Sequence, residues 1–475
     1  MTRRSIPAIA ALLGLAGCAM GPNYERPLVE PPATYRSAGP AAEAEKLAWK
    51  EVFQDQELQA LLAEALKNNY DVRAAAARIL EARSTYRVDR SRLFPSIDIA
   101  SDLTETEISR GALNLPPTVP IKREQTVSRA DLKLSYELDF WGRLRRLTEA
   151  GRAEFLSAEW AALQVRTDLI GDVSRAYFDL LEATRELEIS KRTLETRKQS
   201  LRLTQARKDR GVATALEVRQ AENLVYSAGV RIPTLEQVKA QQENLLSFLL
   251  GRNPGPITLG GELETFNPPV IPAGLPSQLV GRRADILAAE QTLVAANARI
   301  GAAKAALFPT FSLTGTLGLA TRQFSEFLDG DSRERTLTGS LLAPVFNAGR
   351  LRSQVRISEA RQEQMLIEYE RAIRGAFREV ADALAAVENT KQEYQQQARL
   401  VEALREARRL SNLRYEGGVD AYLQVLDSDR NLFAGELALA QIRRDEWAAT
   451  VNLYKALGGG WDEPPAKAKQ QQQQP

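Results

Sequence analysis

Apolar positions along the chain recur with two different periods. Ala130, Leu132, Leu134, Tyr136 and Leu138 alternate with polar residues over 130–139, which is the pattern of a two-faced strand. Phe311, Leu313, Gly315, Leu317 and Leu319 alternate likewise with Ser312, Thr314, Thr316, Gly318 and Ala320. Weaker strands are predicted near Ser96–Glu105 and Thr336–Phe346, giving hairpins over about 96–139 and 310–346. Elsewhere the period is helical. Phe377, Val380, Leu384 and Val387 follow a coiled-coil-like spacing of 3, 4 and 3. No proline interrupts Pro120 to Pro233 or Pro344 to Pro464. Arg143–Arg210 and Arg350–Glu416 consist largely of Ala, Leu, Glu, Arg, Lys and Gln, all good helix formers. At 1.5 Å per residue each stretch predicts a helix of roughly 100 Å.

The pattern occurs twice. Gly142-Arg143-Leu144-Arg145 returns unchanged as Gly349-Arg350-Leu351-Arg352. Arg207, Gly211, Val212, Leu216 and Val218 return as Arg414, Gly418, Val419, Leu423 and Val425, the same 207 residues on. Earlier in each half the offset is 214, as Leu93-Phe94-Pro95 against Leu307-Phe308-Pro309 shows. Each half therefore reads helix, variable hairpin, helix, turn, helix. The predicted division is 51–251 for the first repeat, 252–280 between the repeats and 281–461 for the second.

Strands of about ten residues have the length that crosses a membrane in a tilted β-barrel. Phe94, Phe140, Trp141, Phe308 and Phe346 lie where strands meet helices, so membrane-spanning strands would carry them at one interface. A small soluble sheet capping a helical bundle accounts for the same alternation. Four strands cannot close a barrel, and open edges in hydrocarbon leave backbone groups unpaired. Spanning strands therefore require oligomers. Three protomers would make twelve strands, although two or four would also close.

Composition removes other classes. Lys+Arg is 63 against 61 Asp+Glu, for a net charge of +2, which is no surface for nucleic acid. Histidine is absent and there is one cysteine. Those counts exclude His-based triads, His-ligated metals, a disulfide framework and a cysteine cluster. Neither a GxxxxGK loop nor a GxSxG elbow occurs. No catalytic residue, metal site or cofactor is expected.

The N-terminus reads as an address. Arg3 and Arg4 precede an apolar run from Ile6 to Leu15, then Leu15-Ala16-Gly17-Cys18. Residues 1–17 are predicted to be a signal peptide. The tetrapeptide resembles a lipobox, which makes Cys18 the lipidated first residue of the mature chain. Residues 18–50 form a tether with Pro22, Pro27, Pro31, Pro32 and Pro40, and 462–475, with its glutamine run, is a predicted disordered tail.

The chain resembles the outer-membrane factor family, the TolC-like channels of tripartite efflux pumps, and within it the NodT-type lipoprotein branch. Cys18 with Gly21-Pro22-Asn23-Tyr24-Glu25-Arg26-Pro27 carries the likeness, as do Trp49, Phe53, Asp55, Leu58, Ala65-Leu66 and Asn69. It continues through Gly274-Leu275-Pro276-Ser277, Arg282-Arg283-Ala284-Asp285-Ile286, Phe308-Pro309 and Leu457-Gly458-Gly459-Gly460-Trp461. Ala284 departs from the proline common in the family. The resemblance implies a mainly α homotrimer, in which a long α-helical barrel continues a twelve-stranded transmembrane β-barrel. It implies an equatorial belt built near 41–55, 252–280 and the C-terminal end, and an outer-membrane location, with Ala19 after the cysteine favouring that membrane. It implies no chemistry of its own, passive conduction of small molecules, a periplasmic membrane-fusion adaptor and an inner-membrane RND transporter as partners. The covalent lipid on Cys18 is the one attached group, and outer-membrane lipid is its contact.

The same resemblance singles out the helix turns. Gly211, Val212, Gly417, Gly418 and Val419 are expected to carry the adaptor-docking surface at the periplasmic mouth. Arg414, Tyr415, Asp420 and Asp427 are the expected gate residues, with Glu217 in the first repeat. In a trimer each acid becomes a ring of three carboxylates that favours cations. Plain helix capping by the glycines, and a first-turn helical place for Asp420, compete with these roles. A conduit for type I protein secretion and a non-conducting periplasmic coiled-coil lipoprotein are the alternative functions.

Overall fold

The computed structural model describes residues 19–35, 48–109, 120, 122–272, 274, 276–322 and 327–459. Cys18, the signal peptide, Leu275, Gly460, Trp461 and the 462–475 tail lie outside them. The elements run α1 (Trp49–Val52), α2 (Gln56–Asn68), α3 (Tyr70–Ser91), β1 (Ser96–Glu107), β2 (Glu124–Leu138), α4 (Arg143–Asp209) and α5 (Ala215–Leu249). They continue with α6 (Pro276–Leu279), α7 (Ala284–Ala305), β3 (Thr310–Thr321), β4 (Arg333–Leu342), α8 (Arg350–Glu416) and α9 (Tyr422–Ala456). Helices α4 and α8 each have 67 residues, α3 and α7 each 22, and α5 and α9 each 35. Helix α5 continues through Pro233. Ala284 opens α7, so the departure from proline leaves the helix start in place. Among the described residues no helix is long and apolar enough to cross a membrane.

The chain forms two compact units. The first holds residues up to Pro27, Leu80–Ser157 and Ala289–Tyr369. It contains the four-stranded antiparallel sheet, in the order β1-β2-β3-β4. The register puts Ile97, Leu134, Gly315 and Leu337 in one row, and Ile99, Leu132, Leu317 and Arg335 in the next. Because side chains alternate across a strand, one face collects Ile97, Ile99, Leu103, Leu132, Leu134, Leu317, Leu337 and Leu341. The other collects Asp98, Asp102, Asp131, Lys133, Ser312, Thr314, Thr316 and Thr338. Apolar residues are left uncovered: Ile99 is 83% and Leu337 71% exposed. Among the described residues, edges β1 and β4 pair with no further strand.

The sheet shifts several predicted bounds: β1 reaches Glu107 and β2 begins at Glu124. Strand β4 covers Arg333–Leu342 rather than 336–346, because Pro344 has no N–H to donate and restricts Ala343 before it. Strand β2 stops at Leu138. Asp139 leaves it to accept from the Leu144 and Arg145 amides at 3.0 and 2.9 Å, satisfying the open amides of α4.

The second unit holds Leu28–Ile79, Ala158–Ala288 and Glu370 onward. Its largest core joins Trp49, Phe53, Leu58 and Leu62 to Tyr177, Phe178, Leu246, Leu263, Trp447 and Tyr454. Phe178 stacks on Trp447 with centroids 4.2 Å apart. Around the predicted seam of α8 the buried positions are Ile373, Ala376, Val380 and Ala383. Phe377, Leu384 and Val387 of the predicted seam are half-buried beside them. Val380 of the predicted stripe is fully buried, with the alanines taking the places beside it.

Candidate functional site: the paired helix turns

Helices α4 and α8 end in the same way. The Val212 amide donates to the Arg207 carbonyl at 2.9 Å and the Gly211 amide to that of Lys208 at 2.8 Å. The Val419 amide donates to Arg414 at 2.9 Å and the Gly418 amide to Tyr415 at 3.0 Å. Both are Schellman closures, which need a left-handed residue after the helix. Gly211 and Gly418 supply it with φ of 75° and 73°. Gly417 does not; its amide continues the helical ladder to Leu413 at 3.0 Å. The turns present Val212 and Val419, 66% and 68% exposed, with exposed Leu216 and Leu423 one helical turn further on.

The two following helices start differently. At α5, Thr214 accepts from the Glu217 amide at 3.2 Å, and the Glu217 carboxylate takes the Thr214 amide at 2.6 Å. Glu217 is therefore half of a capping box. At α9 the N-cap is Ala421, which has no side chain to cap with, and the first turn holds no acid. Asp420 lies just outside the helix and forms a two-pronged ion pair with Arg414, at 2.6 and 2.9 Å. That pairing holds its carboxyl below the ordinary range. A first-turn helical place for Asp420 does not occur.

Tyr415 packs on Tyr422 at 5.2 Å, within a cluster of Ala221, Leu224, Val425 and Leu426. The Arg207 guanidinium lies over the Tyr415 ring at 4.7 Å. Burial raises the Tyr415 hydroxyl, and the Glu217 charge adds to the rise. The structure thus joins Arg414 and Asp420 on the turn, while Tyr415 packs in the cluster behind it and Glu217 caps α5. Asp427 stands apart on α9, accepting from Asn431 at 3.2 Å.

Sequence reasoning missed the charge network behind the turns. Buried Asp429 is held by Arg197 at 2.7 Å and Arg408 at 3.0 Å. Buried Glu436 is held by Arg192 at 2.7 Å and Arg405 at 2.9 Å. Arg197 also donates to the Leu224 carbonyl at 2.9 Å. Helices α4, α5, α8 and α9 are tied by these bonds, yet nothing in the one-dimensional pattern distinguishes these arginines from surface ones.

The expected interface aromatics occupy the strand–helix junctions. Trp141 stacks on Phe308 at 4.8 Å and donates to the Pro309 carbonyl at 2.8 Å. Phe140 meets Phe311 edge-on at 4.7 Å. Phe94 and Phe346 are 61% and 88% exposed.

Comparison with known proteins gives the context. The sequence profile described as "Outer membrane efflux protein" matches residues 61–252 and 275–459. The outer membrane protein OprJ of Pseudomonas aeruginosa is 36% identical over 473 residues, covering 96% of either chain. The toluene efflux pump outer membrane protein TtgC of Pseudomonas putida is 35% identical, covering 99% of this chain and 98% of its own. The crystal structure of the open state of the Neisseria gonorrhoeae MtrE outer membrane channel superposes with a TM-score of 0.84 at 30% identity, covering 93% of this chain and 98% of that one. Matched in both halves, and aligned almost end to end with such relatives, the chain belongs to the outer membrane efflux protein family and is an outer-membrane efflux protein of the Gram-negative envelope.

Proposed function

We propose that three copies close the sheet into a twelve-stranded barrel through the outer membrane, continued by the helices as a tunnel into the periplasm. The observation that carries this reading is the sheet itself. Its register gathers most apolar residues on one uncovered face, where Arg335 is an exception, and polar ones on the other, and among the described residues both its edges are open. Hydrocarbon suits the first face, water the second, and neighbouring copies the edges. Phe94, Phe140, Trp141, Phe308 and Phe346 then mark the periplasmic interface, and a lipid on Cys18 adds a second anchor.

On this reading the protein is the passive exit duct of a tripartite RND-type pump. A periplasmic adaptor docks on the turns of Gly211, Val212, Gly417, Gly418 and Val419, and an inner-membrane transporter supplies the energy. Arg414, Tyr415, Asp420, Asp427 and Glu217 form the gate, and residues 252–280 contribute to an equatorial belt. No residue performs chemistry, and no cofactor is needed. The two repeats account for the equal lengths of α4 and α8 and of α5 and α9. Three copies of the Arg414–Asp420 pair would hold the turns inward until a partner competes for their hydrogen bonds.

The test is complementation. In a Gram-negative strain stripped of its own outer-membrane efflux channels but keeping adaptor and transporter, the wild-type chain should restore export of a fluorescent dye. Dye retention despite abundant protein in the outer membrane, with each available adaptor–transporter pair, would overturn the efflux reading.

A further inference from the structure

Residues 19–26 lie along the surface of their own chain, which holds them with more specific contacts than a passive tether requires. The Met20 amide donates to the Trp141 carbonyl at 3.0 Å. The Arg146 guanidinium, buried at 5% exposure, donates to the carbonyls of Met20 and Gly21 and to Asn23 Oδ1, at 3.1, 3.3 and 2.9 Å. Asn297 donates to the Pro22 carbonyl at 3.1 Å. Tyr24 and Arg26 both donate to Glu290, at 3.3 and 2.7 Å, and Arg26 also to the Tyr369 hydroxyl at 3.3 Å. One strap thereby bonds to α4, α7 and α8.

Glycines make room for it. A Cβ on Gly21 would overlap the Gly301 backbone, and one on Gly301 would overlap the Met20 carbonyl and the Arg146 side chain. A Cβ on Gly142 would come within 2.7 Å of Ala19 Cα, whereas its repeat counterpart Gly349 has nothing within 4 Å. The gripping residues are not repeated in the other half of the chain. Arg146 corresponds to Ser353, Glu290 to Ala76, Asn297 to Arg83 and Gly301 to Arg87.

We propose that residues 19–26 are an intrachain clasp. Docked, the clasp cross-links helices from both halves beside the strand–helix junction. It also brings the N-terminal attachment to Trp141, because the two residues from Cys18 to Met20 span no more than about 7 Å. Assembly of the inserted oligomer therefore depends on strap docking and not on lipid attachment alone. The second half of the proposal rests on the lipoprotein reading of Cys18.

Two variants separate these effects. Gly21→Val blocks docking from within the strap, leaving every helix untouched, and Arg146→Ser installs the residue of the second repeat. Losing one charge-assisted set of hydrogen bonds corresponds to about a tenfold change in docking. Exchange of the Met20 amide in the purified protein should accelerate about tenfold in both variants. Oligomer recovered from outer membranes should fall in the same proportion, with palmitate label per chain unchanged. Accelerated exchange with normal oligomer in both variants would overturn the clasp. An unprotected Met20 amide in the wild type would overturn the docking itself. Absence of palmitate from the wild-type chain would overturn the delivery of a lipid to Trp141, and dye export by the wild type reports separately on the efflux reading.

Discussion

Adjacent glycines at the end of α8 should respond oppositely to the same substitution. Gly418 has a φ of 73°, and a Cβ there would meet nothing within 4 Å. The cost of Gly418→Ala is thus purely conformational, about 1–2 kcal/mol for a left-handed L-residue. Reduced freedom of the unfolded chain offsets about 0.4–1 kcal/mol of it, leaving a net loss of about 1 kcal/mol. Gly417 continues the helical ladder and is not left-handed. A Cβ on Gly417 would lie 3.3 Å from the Leu413 carbonyl, a slight crowding, so Gly417→Ala should stabilise the last turn by about 0.5 kcal/mol. Amide exchange at Val419, whose N–H donates to Arg414, reads the local opening. It should speed up roughly fivefold in the first variant and slow by a few-fold in the second. Gly211→Ala should repeat the first result at Val212. Equal shifts from Gly417→Ala and Gly418→Ala would refute the assignment of one left-handed closure per turn.

Other consequences follow from single faces and charges. Ile99→Lys puts a cation on the apolar face, at a cost of about 2–4 kcal/mol in mid-membrane, and should deplete outer-membrane oligomer. Asp98→Lys, on the opposite face, should leave insertion intact by the same fractionation assay. Burial lifts the Glu182 carboxyl from 4.5 to about 7 against the pull of Arg444. The folded state then binds the extra proton, so the Glu182 contribution is greatest below 4.5 and is lost as pH rises through about 7. Glu182→Gln should flatten that part of the pH profile of thermal unfolding. Asp429→Asn leaves Arg197 buried without its carboxylate and should cost about 3–5 kcal/mol in unfolding experiments. Glu406→Gln, which breaks an exposed pair with Arg409, should leave the same curve unmoved.

Much of the architecture was legible where one local signal dominates. Helices α4 and α8 follow from proline-free runs of helix formers, and end within a residue of their predicted limits. Strands β2 and β3 follow from strict alternation. The end of β4 was misplaced because the apolar run through Phe346 outweighed Pro344, whose missing amide decides it. Asp139 was counted with its strand because a cap is recognised by the amides it satisfies. Of the predicted α8 stripe Val380 is fully buried, while Ala376 and Ala383, which carry little apolar weight in a sequence, are buried in place of Phe377 and Leu384. At the turns, repetition revealed Gly211 and Gly418. It did not reveal that Thr214 makes Glu217 a capping residue, while Ala421 leaves Asp420 to Arg414. The strap contacts, such as Arg146 to Gly21, span more than a hundred residues and have no local periodicity to betray them.

Single-channel conductance of the purified, lipidated protein in a planar bilayer tests the central claim most directly. Wild type should be compared with Arg414→Ala and with Asp420→Ala/Asp427→Ala. The account predicts small, cation-preferring steps in the wild type and larger steps in both variants, because either change releases the ion pair that holds the turn. Large steps of equal size in all three would contradict the gate. Silence from inserted oligomer of all three would contradict the conduit itself.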